Sequence, residues 1–264
     1  MTGSGSALNL PFFCDTHVHT SLCGHAEGKM EEYVQAAVQK GLQHIIFLEH
    51  MEEGIVTPHP SWLSEKDFDF YFSEGLRLKN KYRNLIRIGL GVECGYNPDC
   101  KKRLQSRLSA RNWDQIGISC HFLKIKDEEQ HLNLLSRRPE HIERALRLGP
   151  EKLFSMYLET LHEAISVLSG SLLCHLDAAL RWVPGHHLND QHYLKIDEIL
   201  RTAATKNMIL EINTSGIKIR GEPFPDTRIR SLAQAHGLSF QLGSDAHRPE
   251  DVGNGFERFT EPPF

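Results

Sequence analysis

Short apolar runs that close on a potential metal ligand recur along this chain, and that recurrence limits its fold more than any other feature. The runs cover 12–19, 44–50, 86–95, 115–122, 171–177, 208–213 and 239–247. Each is rich in Ile, Leu, Phe, Val or Cys and bounded by Gly, Pro, Asn or charged residues, as expected of strands covered on both faces. The intervening segments 30–40, 65–82, 140–168, 190–206 and 227–236 read as helices. In the first of them Met30, Tyr33, Val34, Ala37 and Val38 recur at helical spacing and form an apolar face. Strands alternating with helices pair in parallel through right-handed crossovers, which leaves a closed barrel or an open doubly wound sheet.

The strand ends decide between the two. His17 and His19, His50, Glu93, His121, His175, and then Asp245 and His247 fall at or near the ends of six of the seven runs. A closed barrel gathers the C-terminal ends of all its strands on one face, whereas an open sheet offers a single crevice at its switch point. No GxGxxG or GxxxxGK[ST] loop is present to serve a nucleotide. The expected architecture is therefore α/β, a seven-stranded TIM-like (β/α)7 barrel. It would form a single domain over 11–264, preceded by a Gly/Ser-rich, disordered tail at 1–10.

Composition narrows the function. Thirty Lys and Arg against 34 Asp and Glu give a net charge of −4, with no basic run, so neither nucleic acid nor a membrane surface is an expected partner. The longest apolar stretches are far too short to span a bilayer. The first ten residues lack the basic and apolar regions of a secretory signal, and the six cysteines form no CxxC pair. Reduced thiols in a cytoplasmic protein are the expectation.

Histidine is abundant, at 16 residues. In His17-Val18-His19 a period of two puts both imidazoles on one face of a strand. His25 follows in a loop of small residues that can fold back over a barrel mouth. So many imidazoles and carboxylates at one end of a barrel would be costly without a cation. The mixture suits Zn²⁺, Mn²⁺ or Fe²⁺ rather than Ca²⁺. Cys94, Cys120 and Cys174 flank Glu93, His121 and His175, so strand parity points them away from the ligands as small buried hydrophobes.

The motifs Asp15-Thr-His17-Val-His19, Phe47-Leu-Glu-His50, Gly91-Val-Glu93, His121, Cys174-His175-Leu-Asp177 and Gly243-Ser-Asp245-Ala-His247 occur in one order along the chain. This pattern resembles the PHP (polymerase and histidinol phosphatase) superfamily, and within it the monofunctional histidinol-phosphate phosphatases. The resemblance runs from about residue 12 to residue 253 and fills nine ligand positions. It departs at Gly95, where family members often carry Asp, and at Ile118-Ser119-Cys120, where the phosphatases usually have Gly-Ser-Val.

The resemblance implies that the seven-stranded barrel is distorted and holds three divalent metal ions (Zn, Mn or Fe). One would take His17, His19, Glu93 and Asp245, the second His25, His50 and His247. The third would take His121 and His175, with Glu93 bridging it to the first. A metal-bridging water would be the nucleophile on phosphorus. Asp245, His247 and Arg181 are the candidate catalytic residues. Arg181, Lys218 and Arg220 are candidate phosphate clamps, joined by Asn213 as a substrate contact. Asp15 would either orient an imidazole or serve as a hydrogen-bonded core carboxylate.

The implied activity is hydrolysis of a small-molecule phosphate ester, L-histidinol phosphate, in histidine biosynthesis. Alternatives are a PHP phosphoesterase for another small ester or nucleotide, and a non-catalytic metal-binding scaffold. An amidohydrolase barrel also opens with HxH, but normally needs a bridging lysine that these strand ends do not offer.

Overall fold

The computed structural model describes residues 13–259; the tail expected at 1–10 lies outside the described residues. In chain order the elements are β1 (Cys14–Val18), α1 (Met30–Gln39), β2 (His44–Met51), α2 (Glu65–Lys81), β3 (Arg87–Gly95), α3 (Lys101–Ser109) and β4 (Ile116–Ser119). A short hairpin follows, β5 (Phe122–Leu123) with β6 (Leu132–Asn133), and then α4 (Pro139–Leu148) and α5 (Pro150–Val167). The last part comprises β7 (Leu172–Leu173), α6 (Asp190–Thr205), β8 (Ile209–Asn213), α7 (Gly216–Arg220), α8 (Thr227–Ala235) and β9 (Ser239–Gly243).

Seven strands pair in the order β1-β2-β3-β4-β7-β8-β9, and every neighbouring pair is parallel. The ring closes loosely, just beyond the last strand. Val18 bridges Ala246, Asp245 N–H donates to the His17 carbonyl at 2.8 Å, and His19 N–H donates to the Ala246 carbonyl at 2.9 Å. This is the seven-stranded barrel expected from the alternation. Leu48, Leu172 and Cys174 fill its interior, and outward-facing side chains pack against the helices in one continuous core. Gln115 spans the base, donating from Nε2 to the Thr16 carbonyl at 3.0 Å.

Asp15 belongs to the closing seam. Its carboxylate accepts from Ser244 N–H (2.9 Å), Ser244 Oγ–H (2.5 Å) and Gly253 N–H (2.7 Å), so it is a hydrogen-bonded core carboxylate that orients no imidazole. The helical stretch read over 140–168 is two helices. Gly149, at φ 92°, ends the first, and Pro150 opens the second at a position that needs no N–H donor. Among the described residues no helix is long and apolar enough to cross a membrane. All six cysteines are buried and unpaired.

Candidate metal centre

The register of β2 on β3 sets His50 directly opposite Glu93, and Glu93 becomes the hub of the barrel mouth. Its Oε1 lies 2.8 Å from His175 Nε2 and 3.0 Å from His121 Nε2. Its Oε2 lies 2.9 Å from His50 Nδ1, 3.6 Å from His17 Nε2 and 3.7 Å from His19 Nε2. Asp245 adds a second carboxylate, with Oδ1 3.3 Å from His19 Nε2 and 3.6 Å from His247 Nδ1. The His25 ring centroid lies 4.5 Å from that of His247 and 5.2 Å from that of His50. All nine expected ligand residues are thus drawn into one cluster.

Of the nine, only His17, His50 and Glu93 lie within strands. β4 stops at Ser119, β7 at Leu173 and β9 at Gly243, each short of the expected strand end. Beyond them His175 and Asp245 adopt left-handed backbone, at φ 22° and 53°. That conformation is uncommon for side-chain-bearing residues, and here it falls on the cluster itself. His25 hangs from a 3₁₀ turn, Ser21–Cys23, ended by Gly24 at φ 78°. Buried Glu49 anchors the turn by accepting Thr20 N–H at 2.9 Å and the Thr20 hydroxyl at 2.5 Å.

Two carboxylates that sequence reasoning did not single out set the imidazole orientations. Glu211 Oε1, on β8, lies 2.5 Å from His17 Nδ1, and its Oε2 accepts His175 N–H at 2.7 Å. Glu52 Oε1 lies 2.7 Å from His121 Nδ1. An imidazole whose Nδ1–H is taken by a carboxylate presents a lone pair at Nε2. For His17 that lone pair faces His19 Nε2 at 2.9 Å, and for His121 it faces Glu93. Each such contact needs a proton or a cation between the two facing atoms.

The rest of the electrostatics points the same way. Burial, with neighbouring imidazoles, pushes His19 well below its ordinary pKa and His25 down to about 3; burial also lowers His247. Burial alone would raise Glu93, but His121 and His17 hold it well below the carboxylate range, and His19 and His17 do the same for Asp245. Burial opposes protonation, but Glu211 and Glu93 draw His17 well above its ordinary pKa, and Glu93 and Glu52 draw His121 up to about 10, so without a metal the ionised carboxylates share protons with these two imidazoles while His19, His25 and His247 stay neutral. Buried atoms without a hydrogen-bond partner include His19 Nδ1, His50 Nδ1, Glu93 Oε2 and His247 Nε2. Donor triplets close enough to share an ion include His17/His19/Asp245, His19/His50/His247 and His50/Glu93/His121. Nitrogen and carboxylate donors of this kind fit a divalent transition metal.

A cavity of about 620 Å³ opens over the cluster, and Arg181 and Trp182 line it. Arg181 Nε and Nη1 are buried with no hydrogen-bond partner. The other candidate contacts are turned away. Asn213 Nδ2 donates to Glu211, its Oδ1 accepts from Ser215, and its backbone pairs with Phe224. Lys218, on α7, pairs with Asp251. Arg220 pairs with Asp177 at 2.8 Å and stacks on Phe224. None of the three is among the cavity-lining residues; Arg137, Arg138 and Arg248 are. Cys174 also departs from expectation. β7 is too short to impose parity, and Cys174 packs inside the barrel, within donor range of His17 and Glu211.

The PHP domain family model matches residues 15–215, and a PHP-associated model matches 226–263. A Deinococcus radiodurans protein named probable histidinol-phosphatase is 28% identical over 250 residues, 92% of this chain and 89% of its own length. A Listeria monocytogenes structure superposes with a TM-score of 0.83 at 21% identity, covering 93% of this chain and 99% of that one. The Lactococcus lactis histidinol phosphate phosphatase, solved with zinc, L-histidinol and phosphate, gives a TM-score of 0.75 at 21% identity over 96% and 95% of the two chains. With its barrel, its clustered strand-end donors and a family model spanning most of its length, this chain belongs to the PHP domain family.

Proposed function

We propose that this protein is a metal-dependent phosphomonoesterase that hydrolyses L-histidinol phosphate to L-histidinol and phosphate. The observation that carries the reading is Glu93, a fully buried carboxylate with five imidazole nitrogens within 3.7 Å. Its two oxygens divide between two groups of donors, so one side chain would serve more than one cation. His17, His19, Glu93 and Asp245 would hold one ion, His25, His50 and His247 a second, and His121 and His175 a third shared with Glu93. Divalent ions held so close together polarise phosphoryl oxygens and lower the pKa of water.

The chain's own residues supply the rest. Arg181 carries positive charge into the cavity and, with Nε and Nη1 unpartnered among the described residues, is free to bind a phosphoryl oxygen. Asp245 remains ionised within electrostatic reach of it, and His247 keeps Nε2 free of hydrogen bonds among the described residues. Glu211 holds His17 still by its Nδ1. Trp182 and Phe122 give the cavity apolar wall where the rest of an ester would lie. The choice of histidinol phosphate rests on the Deinococcus and Lactococcus relatives, whose names or bound molecules point to that ester.

The test is phosphate release from L-histidinol phosphate by protein reconstituted with Mn²⁺. The expected kcat/KM is about 10⁴ M⁻¹s⁻¹ or higher, the usual enzymatic range. No release from demonstrably metal-loaded protein would overturn the substrate, and a panel of small phosphate esters would then locate the true one.

A further inference from the structure

At Gly95 the structure holds something in the space a side chain would fill. A Cβ built on Gly95 would lie 1.9 Å from Glu52 Oε1 and 2.2 Å from its Cδ. The register explains the encounter. Met51 stands opposite Cys94, so Glu52, the next residue, comes level with Gly95 on the face that also carries His50 and Glu93. The Glu52 carboxylate is 3% exposed, and His121 is its only charged partner among the described residues. Beyond His121 the contact continues from Nε2 to Glu93 Oε1 at 3.0 Å.

We propose that Glu52 is a positioning residue of the metal centre, seated in the space Gly95 leaves open. It accepts the His121 Nδ1–H and so holds the Nε2 lone pair on the cation shared with Glu93. Gly95 and Glu52 act as one unit, because any side chain at 95 displaces the carboxylate. Partners of this kind fix the tautomer and ring orientation of a ligating histidine, and their loss typically weakens metal binding about 10–100-fold.

This inference rests on the metal-centre reading, and the experiment keeps the two separable. Zinc stoichiometry and chelator-competition affinity are measured for wild type, Glu52→Gln, Glu52→Ala, Gly95→Ala and the Glu52→Ala/Gly95→Ala double variant. Thermal melts verify that each is folded. Glu52→Ala and Gly95→Ala should each weaken the tightest-coupled zinc about 10–100-fold. The double variant should be no weaker than Glu52→Ala alone. Glu52→Gln, whose amide oxygen still accepts the N–H, should recover most of the affinity. Losses that multiply in the double variant, or a Glu52→Ala protein with wild-type affinity, overturn the unit. A wild type that binds no zinc overturns the metal-centre reading instead. Should Glu52→Ala fail to fold, imidazole NMR of zinc-loaded wild type and Glu52→Gln decides. The His121 Nδ1 proton should move upfield in the variant, and an unmoved resonance overturns the proposal.

Discussion

Replacing Arg181 with methionine should improve folding and damage function at once. Burial pushes the guanidinium's pKa down, with Asp245 and Glu93 attracting it from a distance but forming no ion pair. Its Nε and Nη1 are buried and unsatisfied. Leaving a buried polar or charged group unpaired costs about 1–3 kcal/mol or more. Methionine removes that cost and keeps apolar bulk against Phe224, over whose ring the guanidinium now sits at 5.9 Å. Metal-free Arg181→Met should therefore gain about 1–3 kcal/mol, at roughly 2–4 °C in Tm per kcal/mol for a domain of this size. Catalysis moves the other way. A hydrogen bond to a charged group is worth about 1.5–3 kcal/mol, so losing two to the phosphoryl group costs about 3–6 kcal/mol, or about 10²–10⁴-fold in kcat/KM. Thermal melts and phosphate-release kinetics on the same preparation read both sides. Wild-type kcat/KM, or a lower Tm without metal, would refute the reasoning.

Other perturbations follow from the carboxylates around the site. Glu211 accepts on both oxygens, from His17 on one and from His175 N–H and Asn213 on the other, so the Glu211→Gln amide must turn its NH₂ on a donor. Metal affinity should fall about 10–100-fold despite the matched shape, and chelator competition showing no loss would discount the orienting role. Glu49 is pushed by burial to about 8, so the folded state keeps a proton that the unfolded state releases above 4.5. The folded pKa is raised, so this contribution to stability is full below 4.5 and is lost as pH rises through 8. Glu49→Gln still accepts from Thr20 and should abolish that slope. Urea midpoints between pH 5 and 8.5 that run parallel in the two proteins would contradict it.

The parts of the site carried on or beside strands were legible from spacing. The period of two brings His17 and His19 Nε2 within 2.9 Å, and His50 and Glu93 come out level because β2 and β3 run long and in register. Parity failed where the strand did. β7 is two residues long and His175 turns to φ 22°, so Cys174 faces inward. Glu52 and Glu211 carried no signal of their own, since each matters only through an imidazole on a distant stretch of chain. Lys218 and Arg220 read as clamps because their segment resembles the family's basic loop after the sixth strand, yet they pair with Asp251 and Asp177. The guanidiniums that do line the cavity besides Arg181 sit in loops, where no periodicity marks them.

The central claim is that one cluster built on Glu93 holds the divalent ions that carry the hydrolysis. Metal-stripped wild type and Glu93→Gln should be titrated with Mn²⁺ while native mass spectrometry counts bound ions and phosphate release is followed in parallel. Wild type should take up ions stepwise, to three, with activity rising as they bind, and the variant should hold fewer ions and stay inactive. A wild type that gains no ions, or a Glu93→Gln protein that binds the same number and turns over normally, would contradict the account.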